Sequence, residues 1–141
     1  MSDRGHILII DDDADLLNAA SDWLEVSGFT VTAMSEPLTA LERISGSDPD
    51  VVVSDIRMPG LDGMTLLADI LARRSDLPVV MMTGHGDIQL AVSAMRVGAE
   101  DFIEKPWDAD HLVSVLDRAV EKRRMKREIL RLRDLVAAGA G

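Results

Sequence analysis

Asp11, Asp12 and Asp13 follow the apolar run HILII (6–10), and Asp55 follows VVVS (51–54). Thr83 follows PVVMM (78–82), and Lys105 closes DFIEK (101–105). Each residue alone is ordinary, since an Asp after a strand commonly caps a helix, and a loop Thr or surface Lys is unremarkable. Together they form a carboxylate cluster with one hydroxyl and one ammonium. Like charges in one pocket raise one another's pKa, so several carboxylates cannot all stay ionised unaided. A hard divalent cation resolves the conflict, and Mg2+, with Mn2+ as substitute, needs only one or two carboxylates beside water and a phosphate oxygen. Asp55 can then attack phosphorus and form an acyl phosphate. The cation bridges Asp55 and the transferring oxygens, Lys105 offsets a second oxygen, and the Thr83 hydroxyl bonds a third.

That chemistry requires the four run ends to meet. The apolar runs HILII, TVTAM (30–34), VVVS, PVVMM and DFIEK alternate with amphipathic stretches of helical period at 14–27, 36–46, 64–74, 88–97 and from 109 onward. Fivefold strand–helix alternation predicts a doubly wound, flavodoxin-like α/β fold: a five-stranded parallel sheet with helices on both faces. Strand order 2-1-3-4-5 places the ligand crevice at the carboxyl ends of strands 1 and 3, where the acids lie. Gly28 and Gly98 stand where helices stop. Ser35, Asp87 and Asp108 occupy predicted N-caps, Pro37 a first helical turn, and Asp13 is read as the cap of the first helix.

Other ligand chemistries fit poorly. No strand leads into G-x-G-x-x-G or a Walker loop. DDDADL resembles the start of a calcium-binding EF-hand loop, but Leu16 takes the required Gly place and Asp22 the bidentate Glu place. At 141 residues and 47% apolar, the chain holds one globular core. It has no cysteine, consistent with a reducing cytosol, and the N-terminal MSDRGH lacks an apolar signal core. No apolar run approaches a membrane span. The net charge of −10 divides into −14 over residues 1–120 and +4 over 121–141. An acidic body disfavours nucleic-acid binding, and the basic tail, interleaved with Ile and Leu, reads as a solvated helix face.

IIDDDADL, SDIRMPGLDG, MMTGHGD and IEKPW resemble the acidic-pair, phosphoacceptor, switch-hydroxyl and lysine motifs of the receiver domain of bacterial two-component response regulators. The resemblance covers about residues 5–120. It implies phosphorylation of Asp55 by a sensor histidine kinase. It implies Mg2+ bound directly by Asp12, Asp55 and the Arg57 backbone carbonyl, with Asp11 acting through water, and a cis peptide at Lys105–Pro106. Phe102 matches the family's switch aromatic, expected to swing inward as Thr83 approaches the phosphate; the alternative is a plain core residue. His85 matches a position that tunes phosphate hydrolysis. TGHGDIQLAVSAMRVGAEDFIEKPW resembles two branches: the enhancer-binding activators typified by the nitrogen regulator NtrC and the dicarboxylate-transport regulator DctD, and the shorter regulators typified by FixJ.

The final helical pattern continues past the usual domain edge. Leu112, Val115, Leu116 and Ala119 can face the sheet, while Met125, Ile129, Leu132 and Val136 repeat at 4-3-4 spacing. Residues 1–120 therefore read as a receiver, and 121–141 as a helical linker that dimerises as a short coiled coil before AAGAG ends the pattern. This favours the NtrC/DctD-like branch, with an AAA+ ATPase and a DNA-binding domain as output partners and phosphorylation changing the dimer packing. The expected role is a cytoplasmic switch, not a turnover enzyme. A FixJ-like or stand-alone receiver is the alternative, as are an aspartyl-phosphate hydrolase of the haloacid-dehalogenase class and a non-catalytic pseudo-receiver. The hydrolase needs acids two apart, as at Asp11 and Asp13, but the Thr that should follow is missing.

Overall fold

A computed structural model of the chain describes residues 4–58, 61–84 and 86–140. Strands β1 (His6–Ile10), β2 (Thr30–Met34), β3 (Val51–Asp55), β4 (Val79–Thr83) and β5 (Asp101–Glu104) form one parallel sheet in the order β2-β1-β3-β4-β5. Helices α1 (Ala14–Val26), α2 (Pro37–Gly46), α3 (Gly63–Arg73), α4 (Ile88–Val97) and α5 (Ala109–Ala140) supply the crossovers and the extended C-terminal helix. This is the architecture expected from the alternation. A two-residue antiparallel pair, Arg57–Met58 with Leu61–Asp62, was not foreseen; it folds the chain back between β3 and α3.

Alternate strand residues point to opposite faces, and the core divides accordingly. Ile7, Ile9, Val51, Val53, Val80 and Met82 pack against Leu17 and Leu24 of α1 and Leu112, Val115, Leu116 and Ala119 of α5. Leu8, Ile10, Val52, Val79 and Met81 pack against Ile44, Leu66, Leu67 and Ile70 beneath α2 and α3. The central strands are buried on both faces, which is why they read as unbroken apolar runs.

The local signals were mostly sound. The Asp13 carboxylate accepts from Leu16 N to cap α1, and Asp108 Oδ1 accepts from Asp110 N at 3.3 Å to cap α5. Gly28 and Gly98 take positive φ, +108° and +130°. Ser35 is a correction: the N-cap of α2 is Glu36, and its side chain makes no capping bond, because the helix starts at Pro37. Asp87 does hold the N-cap position of α4, but its carboxylate is engaged by Arg57 instead of the helix. AAGAG does not end α5, which runs to Ala140.

The larger correction concerns the basic tail. From Arg124 every described residue is exposed, up to Gly139, but Arg123 is not: its side chain is 1% exposed. Its guanidinium donates to Asp50 Oδ1 at 2.9 Å, Asp48 Oδ1 at 2.8 Å and Asp76 Oδ2 at 3.5 Å. Arg74 joins Asp48 at 2.7 Å and Asp76 at 3.5 Å, and Arg127 reaches Asp48 at 3.3 Å. Asp50 Oδ2 also accepts the backbone N–H of His6 at 2.8 Å. The network therefore ties α5 to the segments entering β1, β3 and β4, at the end of the sheet opposite Asp55.

One consequence is acid sensitivity. The hydrogen bond from Arg74 holds the Asp48 carboxyl below its ordinary 3.8, against the opposing effect of its burial and with help from Arg123. A depressed folded-state pKa stabilises the fold above the unfolded value and loses that contribution as pH falls through the folded value. Urea midpoints should therefore fall between about pH 5 and about pH 3, and Asp48→Asn should flatten part of that slope. Equal acid slopes in parent and variant would contradict this.

Candidate functional site

The carboxyl edge of the sheet gathers the acids, the hydroxyl and the ammonium. Asp55 is the last residue of β3 and Thr83 the last of β4, one position further into their strands than the apolar runs indicate. Strand pairing fixes them side by side, because Asp55 is in register with Met82 and Thr83 with Glu104. Asp11 follows β1 and is wholly buried, its N–H bonded to Met34 O at 3.1 Å.

Lys105 Nζ donates to Asp11 Oδ2 at 3.0 Å and to Asp55 Oδ2 at 2.8 Å. The other oxygen of each carboxylate accepts a backbone N–H, Asp13 N to Asp11 Oδ1 at 2.9 Å and Arg57 N to Asp55 Oδ1 at 3.2 Å. Burial alone pushes the Lys105 ammonium toward deprotonation, but its bonds to Asp55 and Asp11 and their charges outweigh that, and its pKa is raised. It is a fixed cation at neutral pH. The Lys105–Pro106 peptide is cis, and Lys105 N donates to Thr83 O at 2.7 Å, joining the two loops. Thr83 is buried.

Ligand oxygens of Asp11, Asp12 and Asp55 lie within 4.8 Å of one another. The set is all hard oxygen with no sulfur or imidazole, which suits Mg2+ or Mn2+ and not Zn2+. Asp12 is exposed, so one side of the cluster opens to water. Asp13 points elsewhere, because it caps α1. That removes the second acid which a hydrolase of the haloacid-dehalogenase class would need.

The remaining candidates lie around this cluster. Phe102 is 38% exposed on β5, so the plain core reading fails. His85 lies outside the described residues. Met125, Ile129, Leu132 and Val136 are exposed along α5 and distant in sequence from the cluster. Two features escaped the sequence reading. Arg57 grips Asp87 through Nε at 3.0 Å and Nη2 at 3.3 Å, linking the loops after β3 and β4. Gly63 N donates to Ile56 O at 3.1 Å, which presses α3 against the backbone that carries Asp55. Neither pairing has a local sequence signal.

Comparison with known proteins agrees with this geometry. The family described as "Response regulator receiver domain" matches residues 7–117. The C4-dicarboxylate transport transcriptional regulatory protein DctD of Rhizobium meliloti (strain 1021) is 46% identical over 140 residues, covering 99% of this chain and 30% of the relative. The transcriptional regulatory protein FixJ of Bradyrhizobium diazoefficiens is 43% identical over 122 residues, 86% of this chain and 60% of the relative. Among solved structures, NtrX from Brucella abortus in complex with ADP superposes with a TM-score of 0.87 at 41% identity, covering 94% of this chain and 30% of that one. The chain thus spans less than two thirds of the length of these relatives.

Proposed function

The chain belongs to the response regulator receiver domain family, of the type found in NtrC-, DctD- and FixJ-like transcriptional regulators, and we propose that its Asp55 is the phosphoacceptor for a sensor histidine kinase. The observation that carries this reading is Lys105 Nζ bridging Asp11 and Asp55 at 3.0 and 2.8 Å beside buried Thr83. An Asp55 oxygen forms the new bond to phosphorus while the bond from phosphorus to the donor nitrogen breaks, and the nitrogen leaves with the electron pair. Asp12, Asp55 and the Arg57 carbonyl would hold Mg2+, or Mn2+ in its place, with Asp11 acting through water. Bound there, the ion supplies charge neutralisation on the transferring oxygens. Lys105 keeps its charge at the same carboxylates, and Thr83 offers a hydroxyl to a phosphoryl oxygen.

Phosphorylated Asp55 then recruits Thr83, and Phe102 moves inward from its exposed position. This biases the domain between two packings. His85 tunes hydrolysis of the acyl phosphate. The module is a stoichiometric switch and not a turnover enzyme. Residues 1–120 form the receiver and 121–141 a dimerising linker, whose seam of Met125, Ile129, Leu132 and Val136 is 48–71% exposed. Such a stripe on a helix otherwise in water suits a second copy of itself. The sequence match to DctD spans 140 residues and that to FixJ 122, while full-length FixJ superposes over 98% of the chain, so both kinds of regulator share the linker helix. An ATPase and a DNA-binding domain are the outputs we propose, with a FixJ-like arrangement as the alternative. Among the described residues no helix is long and apolar enough to cross a membrane. That is compatible with cytoplasmic action, and the acidic body argues against direct nucleic-acid contact.

Incubation with acetyl phosphate and Mg2+ should add one phosphoryl mass to the intact chain. Asp55→Asn should lose the adduct completely, and chelation of the metal should suppress it in the parent. An adduct that survives Asp55→Asn moves the acceptor elsewhere, and sustained phosphate release on unrelated esters would mean a hydrolase.

A further inference from the structure

A buried arginine needs a reason, because desolvating a guanidinium is costly unless its partners hold it in good geometry. Arg123 is the strongest such case here. It sits just beyond Val120, the last residue of α5 within the packed core, and before the stretch whose described residues are all exposed. Its partners come from two separate loops, Asp48 and Asp50 before β3 and Asp76 before β4. Asp50 passes the restraint on to the first residue of β1.

Helical geometry relates this contact to the seam. At about 100° per residue, Met125, Ile129, Leu132 and Val136 lie roughly 200°, 240°, 180° and 220° around the axis from Arg123. Pinning Arg123 against the body therefore turns Leu132 and Val136 outward, while Met125 and Ile129 border a groove shared with Leu71, Leu77 and Pro78. We propose that Arg123 is the positioning residue that fixes the direction and facing of the C-terminal helix, so that the receiver body and the seam of a second copy move as one rigid unit. The proposal rests on the dimer reading above. A lysine cannot replace Arg123 in this role, because one ammonium does not reproduce a planar fork that spans two loops.

The absence of cysteine makes the test direct. Spin labels are placed on exposed Glu25→Cys and Asp134→Cys, and labelled chains are diluted into unlabelled ones so that only the intrachain distance is read. The parent should give one narrow distribution. Arg123→Met and Arg123→Lys should each broaden it about twofold or more. Both should weaken dimerisation at least about fivefold, while uptake of phosphate from acetyl phosphate stays at the parent rate. Asp50→Asn serves as a second variant should Arg123→Met fold poorly. Parental distance widths in the arginine variants would overturn the proposal. A parent that stays monomeric with and without acetyl phosphate would overturn the dimer reading, and the intrachain widths would still decide the role of Arg123.

Discussion

Gly63→Ala is expected to lower the melting temperature by on the order of 10 °C and to cost at least about 2–3 kcal/mol. The same change should cut phosphoryl uptake on an intact Asp55 by about 100-fold. An alanine Cβ at this position would lie 2.5 Å from Ile56 O and 2.6 Å from both Asp55 O and Ile56 Cα. All three atoms are backbone, so no side chain can rotate away. Relief requires α3 or the end of β3 to shift by a substantial part of an ångström. Asp55 is held to Lys105 at 2.8 Å and to Arg57 N at 3.2 Å, so the shift is felt at its carboxylate. Gly46→Ala is the control: nothing lies within 4 Å of its Cβ and it ends α2, so it should be neutral or stabilising by up to about 1 kcal/mol. Thermal melts and intact-mass labelling of both variants decide the matter. A Gly63→Ala chain that melts and labels like the parent would refute the argument.

Gly63 also marks the boundary of what sequence could say. In SDIRMPGLDG it reads as one more turn residue, and its real constraint is an approach to backbone seven positions upstream. The sheet, by contrast, was legible. Burial of β1, β3 and β4 on both faces demands apolar runs, and parallel pairing demands long crossovers, so the two patterns together leave few topologies. Asp11, Asp55, Thr83 and Lys105 could be gathered before any coordinates, because parallel strands deliver their carboxyl ends to one edge. Arg123 could not be gathered in that way. Its partners lie 73, 75 and 47 residues away in sequence, and a helix rich in Arg and Lys gives no periodic sign of which cation turns inward. The Arg57–Asp87 pair failed for the same reason, with the added trap that Asp87 sits at a position where capping is the ordinary expectation.

The ammonium of Lys105 now occupies the oxygens that a divalent cation would share, and this gives the second large effect. Lys105→Met leaves Asp11, 1% exposed at its side chain, and Asp55, at 11%, with no organic cation between them and with Asp12 nearby. Removing one member of a buried ion pair typically costs about 3–5 kcal/mol, because the charge left behind stays desolvated. In metal-chelating buffer the variant should therefore melt well below the parent. Two effects act together once Mg2+ is added. The cation is no longer repelled by a neighbouring ammonium, and it meets carboxylate oxygens that no ammonium holds. Site occupancy stabilises only the folded state, by an amount that grows with affinity. The variant should accordingly gain more stability from Mg2+ than the parent does. Adding Asp12→Asn to Lys105→Met removes one of the repelling charges, so it should raise the melting point in chelator and shrink the Mg2+ response. Melting curves of the parent and both variants, with and without Mg2+, test all of these steps. If Lys105→Met melts with the parent in chelator, or gains no more from Mg2+, the ammonium does not hold the acidic pocket together.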